Sequence, residues 1–203
     1  MSPKTTSRAG FTLLELVVAI AILAIVVPLA YEGYLGLKER SYAAQLKSGT
    51  LAGLASLNAQ ISLAVRNSYG VDYGATKTDS DGADEIVLLA DKQERHRLKI
   101  YLERDKAADV SRAMAQYDGG VPQPLHSNLL YVTRLDFTVS PDPRAFPARA
   151  DDQPWVGLSV EARSRSPLLR ETDDAQLPAY QKSKEALTGR WTIRNFAPSS
   201  LKR

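Results

Sequence analysis

The apolar residues of this chain concentrate in one unbroken run near the N-terminus. Between Phe11 and Ala30 the only polar residues are Thr12 and Glu15. A helix of about 20 residues spans roughly 30 Å, which is the thickness of the hydrocarbon core of a bilayer. The run therefore predicts a membrane-spanning helix, which we assign to residues 11–37.

After this run the pattern becomes that of an amphipathic helix. Apolar and small residues recur at spacings of three and four, so they share one helical face. These residues are Leu46, Thr50, Leu54, Leu57, Ile61 and Ala64. Residues 38–68 are therefore predicted to continue the helix and to pack this face on the sheet that follows. Gly70, just beyond Asn67, is the expected C-terminal cap.

The remainder of the chain, residues 69–203, has the short alternating runs that are typical of antiparallel strands with one buried face. Residues 85–90 and 97–102 predict a hairpin. Further strands are predicted at residues 129–139, 156–163 and 190–196. The pattern as a whole predicts an α+β fold, in which a long N-terminal α-helical spine packs on an antiparallel β-sheet head formed by residues 69–203.

Two details of the head are less simple. Residues 107–117 suit a helix by composition and a strand by position, and both alternatives stay open. In the strand at 129–139 one set of alternating residues is expected on the buried face. This set is Tyr131, Thr133, Leu135, Phe137 and Val139.

Charge and cysteine content narrow the classes of function. The chain has 26 Lys and Arg against 23 Asp and Glu, for a net charge of +3. Lys4 and Arg8 in the ten-residue leader supply two of those charges, so the remainder is close to neutral and indicates no particular partner. Cysteine is absent, which excludes disulfides, thiol catalysis and thiolate zinc sites.

The leader does not have the order of a secretory signal, in which a cleavage site follows the apolar core. Here a small residue, Gly10, precedes the apolar run. The positive leader is expected to stay on the cytoplasmic side of the membrane, which places the head on the other side.

Glu15 is costly within an apolar run and should have a partner. One interpretation is an interfacial carboxylate that reaches water from the end of the helix. The other is an intermolecular partner, because cleavage after Gly10 would create an amine at Phe11, one helical turn from Glu15. Such an amine on a neighbouring chain would neutralise the carboxylate and fix the stagger between the helices.

The residues Arg8-Ala9-Gly10-Phe11-Thr12-Leu13-Leu14-Glu15 resemble the prepilin-type signal of type IV pilins and type II secretion pseudopilins. The resemblance implies that a prepilin peptidase removes residues 1–10 by cutting between Gly10 and Phe11, and that Phe11 is N-methylated. It also implies that the helix packs in a filament core, where Glu15 assists assembly. Pro28 departs from the family pattern, since its helix-kinking proline often lies a few residues further along.

The same resemblance implies a single-pass protein of the bacterial inner membrane with a periplasmic head. Its partners would be other minor and major pseudopilins or pilins, the prepilin peptidase and an inner-membrane assembly platform. The late strand ending at Ile193-Arg194-Asn195 is most similar to the minor pseudopilin J type, a tip or priming subunit of the type II secretion pseudopilus. The alternative is a minor pilin of a type IV pilus used for adhesion, motility or DNA uptake.

No catalytic site is predicted, because His96 and His126 lie in unrelated contexts and no nucleophile-elbow, P-loop or zinc-protease motif occurs. An acidic loop at residues 79–85 offers carboxylate ligands of the kind that Ca²⁺ prefers. The candidate ligands are Asp79, Asp81, Asp84 and Glu85. The alternative is an acidic turn, since Asp-Gly is a strong turn signal. No other cofactor is expected.

Basic residues outnumber acidic ones in residues 155–203, where Trp155 and Trp191 also occur. Basic surfaces with aromatic side chains suit single-stranded nucleic acids. Because Trp191 lies in an alternating strand, it is expected in the core, and nucleic acid is not an expected partner.

Overall fold

The computed structural model describes residues 12–78, 84–105, 110–127, 130–140, 154–164 and 184–194. These residues form one long helix and two antiparallel sheets, which confirms the predicted α+β fold. The elements are α1 (Leu13–Asn67), β1 (Gly70–Val71), β2 (Ile86–Leu89), β3 (Arg97–Asp105), β4 (Val110–Tyr117), β5 (Gln123–Pro124), β6 (Leu130–Ser140), β7 (Trp155–Ser164) and β8 (Glu185–Thr192). The chain divides into two compact units, Met1–Ala44 and Gln45–Arg203.

The described part of the first unit consists of Thr12 and the part of α1 from Leu13 to Ala44. Its apolar side chains are exposed, by 81% at Leu13 and by 63% at Leu29. The helix continues through Pro28, although proline has no N–H to donate to the preceding turn. Among the described residues, α1 is a helix long and apolar enough to cross a membrane.

In the second unit α1 buries one stripe of side chains. The stripe consists of Thr50, Leu54, Leu57, Ile61 and Val65. The first four confirm the helical face expected from the spacing, whereas Leu46 and Ala64 are only half-buried and Val65 is the last buried residue of the stripe. The hydroxyl of Thr50 donates a hydrogen bond of 2.9 Å to the Leu46 carbonyl oxygen, so its burial leaves no polar group unpaired. The stripe joins a core to which β2, β3, β6 and β7 contribute Ile86, Leu88, Ile100, Leu135, Val156 and Val160.

The C-terminus of α1 is capped by Ser68. Its amide donates to the Ala64 carbonyl oxygen at 3.1 Å, and its hydroxyl donates to the Val65 carbonyl oxygen at 2.7 Å. Gly70 begins β1 and pairs with Leu89. The predicted Gly70 cap is therefore wrong, because strand pairing begins where the cap was expected.

The first sheet has the strand order β1-β2-β3-β4-β5. β2 and β3 pair antiparallel from Ile86↔Ile100 to Leu89↔Arg97, which confirms the predicted hairpin. β4 pairs antiparallel with β3 along its whole length. The ambiguous segment is thus a strand from residue 110 onward, because pairing with β3 overrides the helical preference of its Ala, Met and Gln residues.

The second sheet has the order β6-β7-β8. An irregularity in the β6–β7 register between Val132 and Arg134 reverses the alternation along β6. Leu130 and Val132 are buried before it, and Leu135 and Phe137 after it. The buried face predicted for β6 is therefore right in its second half and wrong in its first, since one extra residue moves the following side chains to the opposite face.

The edge of β6 that faces away from β7 is covered by groups from β4 and from the segment that precedes β2. Ser111 Oγ donates to the Val132 carbonyl oxygen at 2.6 Å. The Asp84 amide donates to the Leu135 carbonyl oxygen at 2.9 Å, and Asp84 Oδ2 accepts from the Phe137 amide at 2.7 Å. These bonds satisfy backbone groups that an edge strand otherwise leaves unpaired.

Gly189 in β8 is expected to tolerate no side chain, because the Trp191 ring lies across it. A Cβ atom at residue 189 would overlap Trp191 Cζ2 and would lie 2.7 Å from Asn58 Oδ1. We expect Gly189→Ala to lower the free energy of unfolding by about 1–3 kcal/mol, the usual cost of overpacking. Chemical denaturation of the full chain in detergent, followed by tryptophan fluorescence, measures the change.

The matched control is Gly49→Ala, since a Cβ atom at residue 49 meets nothing within 4 Å. Alanine is favoured over glycine inside a helix by about 1 kcal/mol, so this variant should be at least as stable as the natural chain. Equal stability of Gly189→Ala and the natural chain would contradict the packing of Trp191 over Gly189.

Candidate functional site

The first turn of α1 is closed by a reciprocal pair of side chains, Thr12 and Glu15. Glu15 Oε2 accepts hydrogen bonds from the Thr12 amide at 2.9 Å and from Thr12 Oγ1 at 3.0 Å. Thr12 Oγ1 in turn accepts from the Glu15 amide at 3.3 Å. This is a capping box, in which a Thr N-cap and a Glu three residues later satisfy each other's amides. The carboxylate is therefore directed back toward the residue before the helix.

The surroundings of this carboxylate are apolar and open. Leu13, Leu14 and Leu16 are exposed by 81%, 72% and 55%. Glu15 forms no ion pair with any described residue, and its Oε1 atom accepts no hydrogen bond from the part of the chain that is described. One carboxylate oxygen is thus held by Thr12, and the other has no donor among the described residues.

Thr12 is a site residue that the sequence analysis did not single out. The signal was present, because Thr followed three residues later by Glu before an apolar run is the signature of a capping box. Gly10 and Phe11, the predicted cleavage residues, lie outside the described residues, so their roles stay predictions.

The predicted calcium loop is described only in part, since Asp79 and Asp81 lie outside the described residues. Asp84 is 4% exposed, and its Oδ2 atom accepts from the Phe137 amide. Glu85 forms an ion pair with Lys99 at 2.6 Å. The two described carboxylates thus contribute to the fold, and the described residues contain no group of three side chains suited to a metal ion. Calcium binding stays a prediction.

Each histidine forms hydrogen bonds that join separate segments of the described structure. His96 Nδ1 bonds to Asp118 Oδ2, and its ring stacks on Tyr117 with 5.8 Å between the ring centroids. The Arg97 amide donates to Asp118 Oδ1 at 2.7 Å. This amide, followed by the His96 side chain, lowers the pKa of Asp118. The arrangement ties two turns of the first sheet together.

His126 is buried and structural. Its Nε2 atom accepts a hydrogen bond from the Ala113 amide at 3.0 Å, which requires an unprotonated Nε2. Its Nδ1–H donates to the Ser127 carbonyl oxygen at 2.8 Å. Burial, with a smaller contribution from the Arg112 charge, lowers the pKa of His126 below its ordinary value. The neutral ring therefore joins β4 to the segment that precedes β6.

The two tryptophans, which are the described aromatic residues of the basic C-terminal region, both have partners within the chain. Trp191 is 7% exposed and lies in the core, as predicted. Trp155 is half-buried, and the Arg190 guanidinium carbon lies 3.7 Å from its ring centroid.

One family model matches the chain. The prokaryotic N-terminal methylation motif matches residues 5–27, which include the end of the leader, Gly10, Phe11 and the capping box. No curated protein and no solved structure matches the chain. The match supports a protein of the type IV pilin and pseudopilin kind. A motif of this type implies processing by a prepilin peptidase and assembly with other pilins.

The buried His126 predicts a stability that falls in mild acid. Its pKa is lowered by folding, so below about pH 6.5 the unfolded chain takes up a proton that the folded chain does not. We expect the free energy of unfolding to fall by at most about 1.4 kcal/mol for each pH unit below 6.5. Urea unfolding of the full chain at pH 7.5 and pH 5.5 measures this.

His126→Gln keeps an acceptor for the Ala113 amide and should remove most of that fall. His96→Gln is the matched control, because His96 and His126 are the two histidines of the chain, and it should leave the fall in place. The same pH dependence in His126→Gln and the natural chain would contradict the role of His126.

Proposed function

We propose that this chain is a minor pseudopilin, a tip or priming subunit of a type II secretion pseudopilus that supports protein secretion. The proposal rests on two features that occur at the same place in the chain. The methylation motif over residues 5–27 coincides with a capping box at the start of an exposed apolar helix. Its role is structural, with protein partners and no substrate.

The proposed location is the bacterial inner membrane, which α1 crosses once. Lys4 and Arg8 keep the leader on the cytoplasmic side by the positive-inside rule. Tyr31 and Tyr34 follow the apolar run and are exposed by 61% and 60%. Exposed tyrosines at the end of a spanning segment are typical of the aromatic belt at a membrane surface. The residues beyond them then lie in the periplasm.

In the proposed assembly step, prepilin peptidase cuts between Gly10 and Phe11 and methylates the new amine. A methylated amine stays positive, and it would give Glu15 the charged partner that the described residues do not provide. Thr12 holds Oε2 of Glu15 in the first turn, so Oε1 can accept from the amine of a neighbouring subunit. The helix dipole favours a carboxylate at this end, but it does not remove the cost of an unpaired charge among lipid chains. The neighbour's amine therefore decides where the subunit docks.

The proposed partners are other minor and major pseudopilins, the prepilin peptidase and the inner-membrane assembly platform. The resemblance to minor pseudopilin J rests on the late strand and the residues that follow it. In the structure Ile193 of this segment is fully buried, and Arg194 is exposed. Asn195 lies outside the described residues.

The methylation motif is shared by pilins and pseudopilins, so a minor pilin of a type IV pilus is the alternative. Gene neighbours separate the two functions. A secretin and a secretion ATPase in the same operon support the pseudopilin, whereas pilus-retraction or competence genes support the pilin.

We expect the mature chain to begin at N-methylated Phe11. Mass spectrometry of the protein extracted from membranes measures the N-terminus directly. Gly10→Val should leave the leader attached, because a branched side chain replaces the small residue at the cleavage site, whereas Gly10→Ala should still be cut. A Met1 terminus on the natural chain, in cells with an active prepilin peptidase, would overturn the processing step.

We expect Glu15→Leu to be inserted and cleaved normally, because the change only makes α1 more apolar. Crosslinking to partner subunits and recovery of filaments should fall at least about tenfold, the effect of losing roughly 1.4 kcal/mol of docking free energy. Thr12→Val, which removes one of the two bonds to Oε2, should give an intermediate loss.

Glu39→Leu is the matched control, since Glu39 is an exposed carboxylate of α1 outside the first turn. It should assemble as the natural chain does. A processed Glu15→Leu chain that assembles at full efficiency would show that Glu15 has no intermolecular partner.

A further inference from the structure

β8 is an edge strand of the second sheet, and the pairing with β7 determines which of its residues direct their backbone N–H and C=O groups away from the sheet. The Ile193 amide donates to the Pro154 carbonyl oxygen at 3.1 Å, in register with the β7–β8 ladder. In an antiparallel pair the backbone groups of alternate residues point to the neighbour and away from it. The outward residues of β8 are Ala186, Thr188, Arg190 and Thr192.

The two edges of this sheet differ in whether their outer backbone groups have hydrogen-bond partners. The outer edge of β6 is closed by Ser111 and Asp84. Across the described ranges, by contrast, no hydrogen bond reaches the outward backbone groups of β8. Within the described residues, the edge therefore presents a row of donors and acceptors at a two-residue spacing, which is the template for an added strand.

The side chains on the exposed face of β8 and of the residues next to it carry positive charge and no negative charge. They are Lys184, Ala186, Thr188, Arg190, Thr192 and Arg194, and all are exposed. None of these three cations forms an ion pair with a described residue. Cations on a free edge can act simply to keep it from pairing with other copies of itself.

The position of Arg190 goes beyond that protective role. Its guanidinium lies over the Trp155 ring, and Trp155 in turn lies close to Gly157, where a Cβ atom would be 3.1 Å from its Cζ3 atom. Stacking on an aromatic ring fixes the plane of a guanidinium while its N–H groups stay available for a carboxylate. A charge that only repels needs no fixed orientation.

We propose that the free edge of β8 binds an extended acidic strand of a partner protein by β-augmentation. The partner strand pairs with the outward backbone groups of β8, and its carboxylates at alternate positions face Lys184, Arg190 and Arg194. Main-chain hydrogen bonds supply affinity in this mode of recognition, and alternate side chains supply specificity. The site belongs to the second unit alone and does not depend on the proposed role in secretion.

The test uses the full chain in detergent micelles and a synthetic eight-residue peptide that alternates Glu with Thr or Val. We expect the peptide to slow hydrogen exchange at the outward amides of Ala186, Thr188, Arg190 and Thr192 at least about tenfold. The same peptide with Lys in place of Glu should not do so. Fluorescence anisotropy of the labelled peptides gives the two affinities.

Thr188→Pro removes one outward N–H and no bond to β7, since proline is tolerated where the amide faces away from the sheet. We expect this variant to bind the acidic peptide at least about tenfold more weakly than the natural chain does. Thr188→Val is the matched control, because it keeps the N–H and the branched shape, and its affinity should be unchanged.

Charge is tested separately with Arg190→Glu, which should weaken binding of the acidic peptide at least about tenfold. The matched control is Lys92→Glu, which reverses an exposed charge in the turn after β2 and should leave the affinity unchanged. If Thr188→Pro fails to fold, retained binding by a folded Arg190→Glu chain overturns the proposal. Equal binding of the Lys peptide, or no protection by the Glu peptide, also overturns it. Tighter binding of an oligodeoxythymidylate at this edge would overturn it by assigning the cations to nucleic acid.

Discussion

The burial of one stripe of α1 beneath the two sheets is the interaction on which the second unit depends. Leu54, Leu57 and Ile61 are fully buried there, and each side chain of this size contributes about 1.5–3 kcal/mol when removed from water. Earlier in the same helix the apolar side chains from Leu13 to Leu29 have no such cover. One helix thus satisfies two different requirements. One face of its second half is buried by its own chain, whereas the apolar side chains of its first half are exposed.

Local periodicity was enough to predict much of this fold. Most of the stripe of α1, the β2–β3 hairpin and the strand β7 follow from spacings of three to four and of two residues, which geometry links directly to a face. The errors lie where a partner distant in sequence decides. The irregularity after Val132 reversed the alternation in β6, and the pairing of Gly70 with Leu89 replaced the expected cap. The composition of β4 left two alternatives that only its pairing with β3 resolves.

The same distinction applies to the candidate sites. The capping box depends on a spacing of three residues, and the sequence contained all the information needed to find it. The role of Asp84 did not have such a signal. Its carboxylate accepts from the Phe137 amide, 53 residues further along the chain, so this candidate metal ligand also joins the segment before β2 to β6. An acidic cluster in sequence cannot distinguish these uses, because both need a carboxylate in a turn.

Asp84 is paired with backbone groups of β6. Two other polar features contain groups that have no hydrogen-bond partner among the described residues. Glu15 has one oxygen held by Thr12, and β8 has an outer edge that carries only positive charge. Had either been buried, folding would have required an internal partner. Because both are exposed, each can persist before a partner arrives. The capping box satisfies part of the carboxylate within the described chain, and cations on an edge strand disfavour its pairing with another copy of itself. An assembly subunit of the proposed kind would need both properties, since a group that is ready for a partner must also be stable without one.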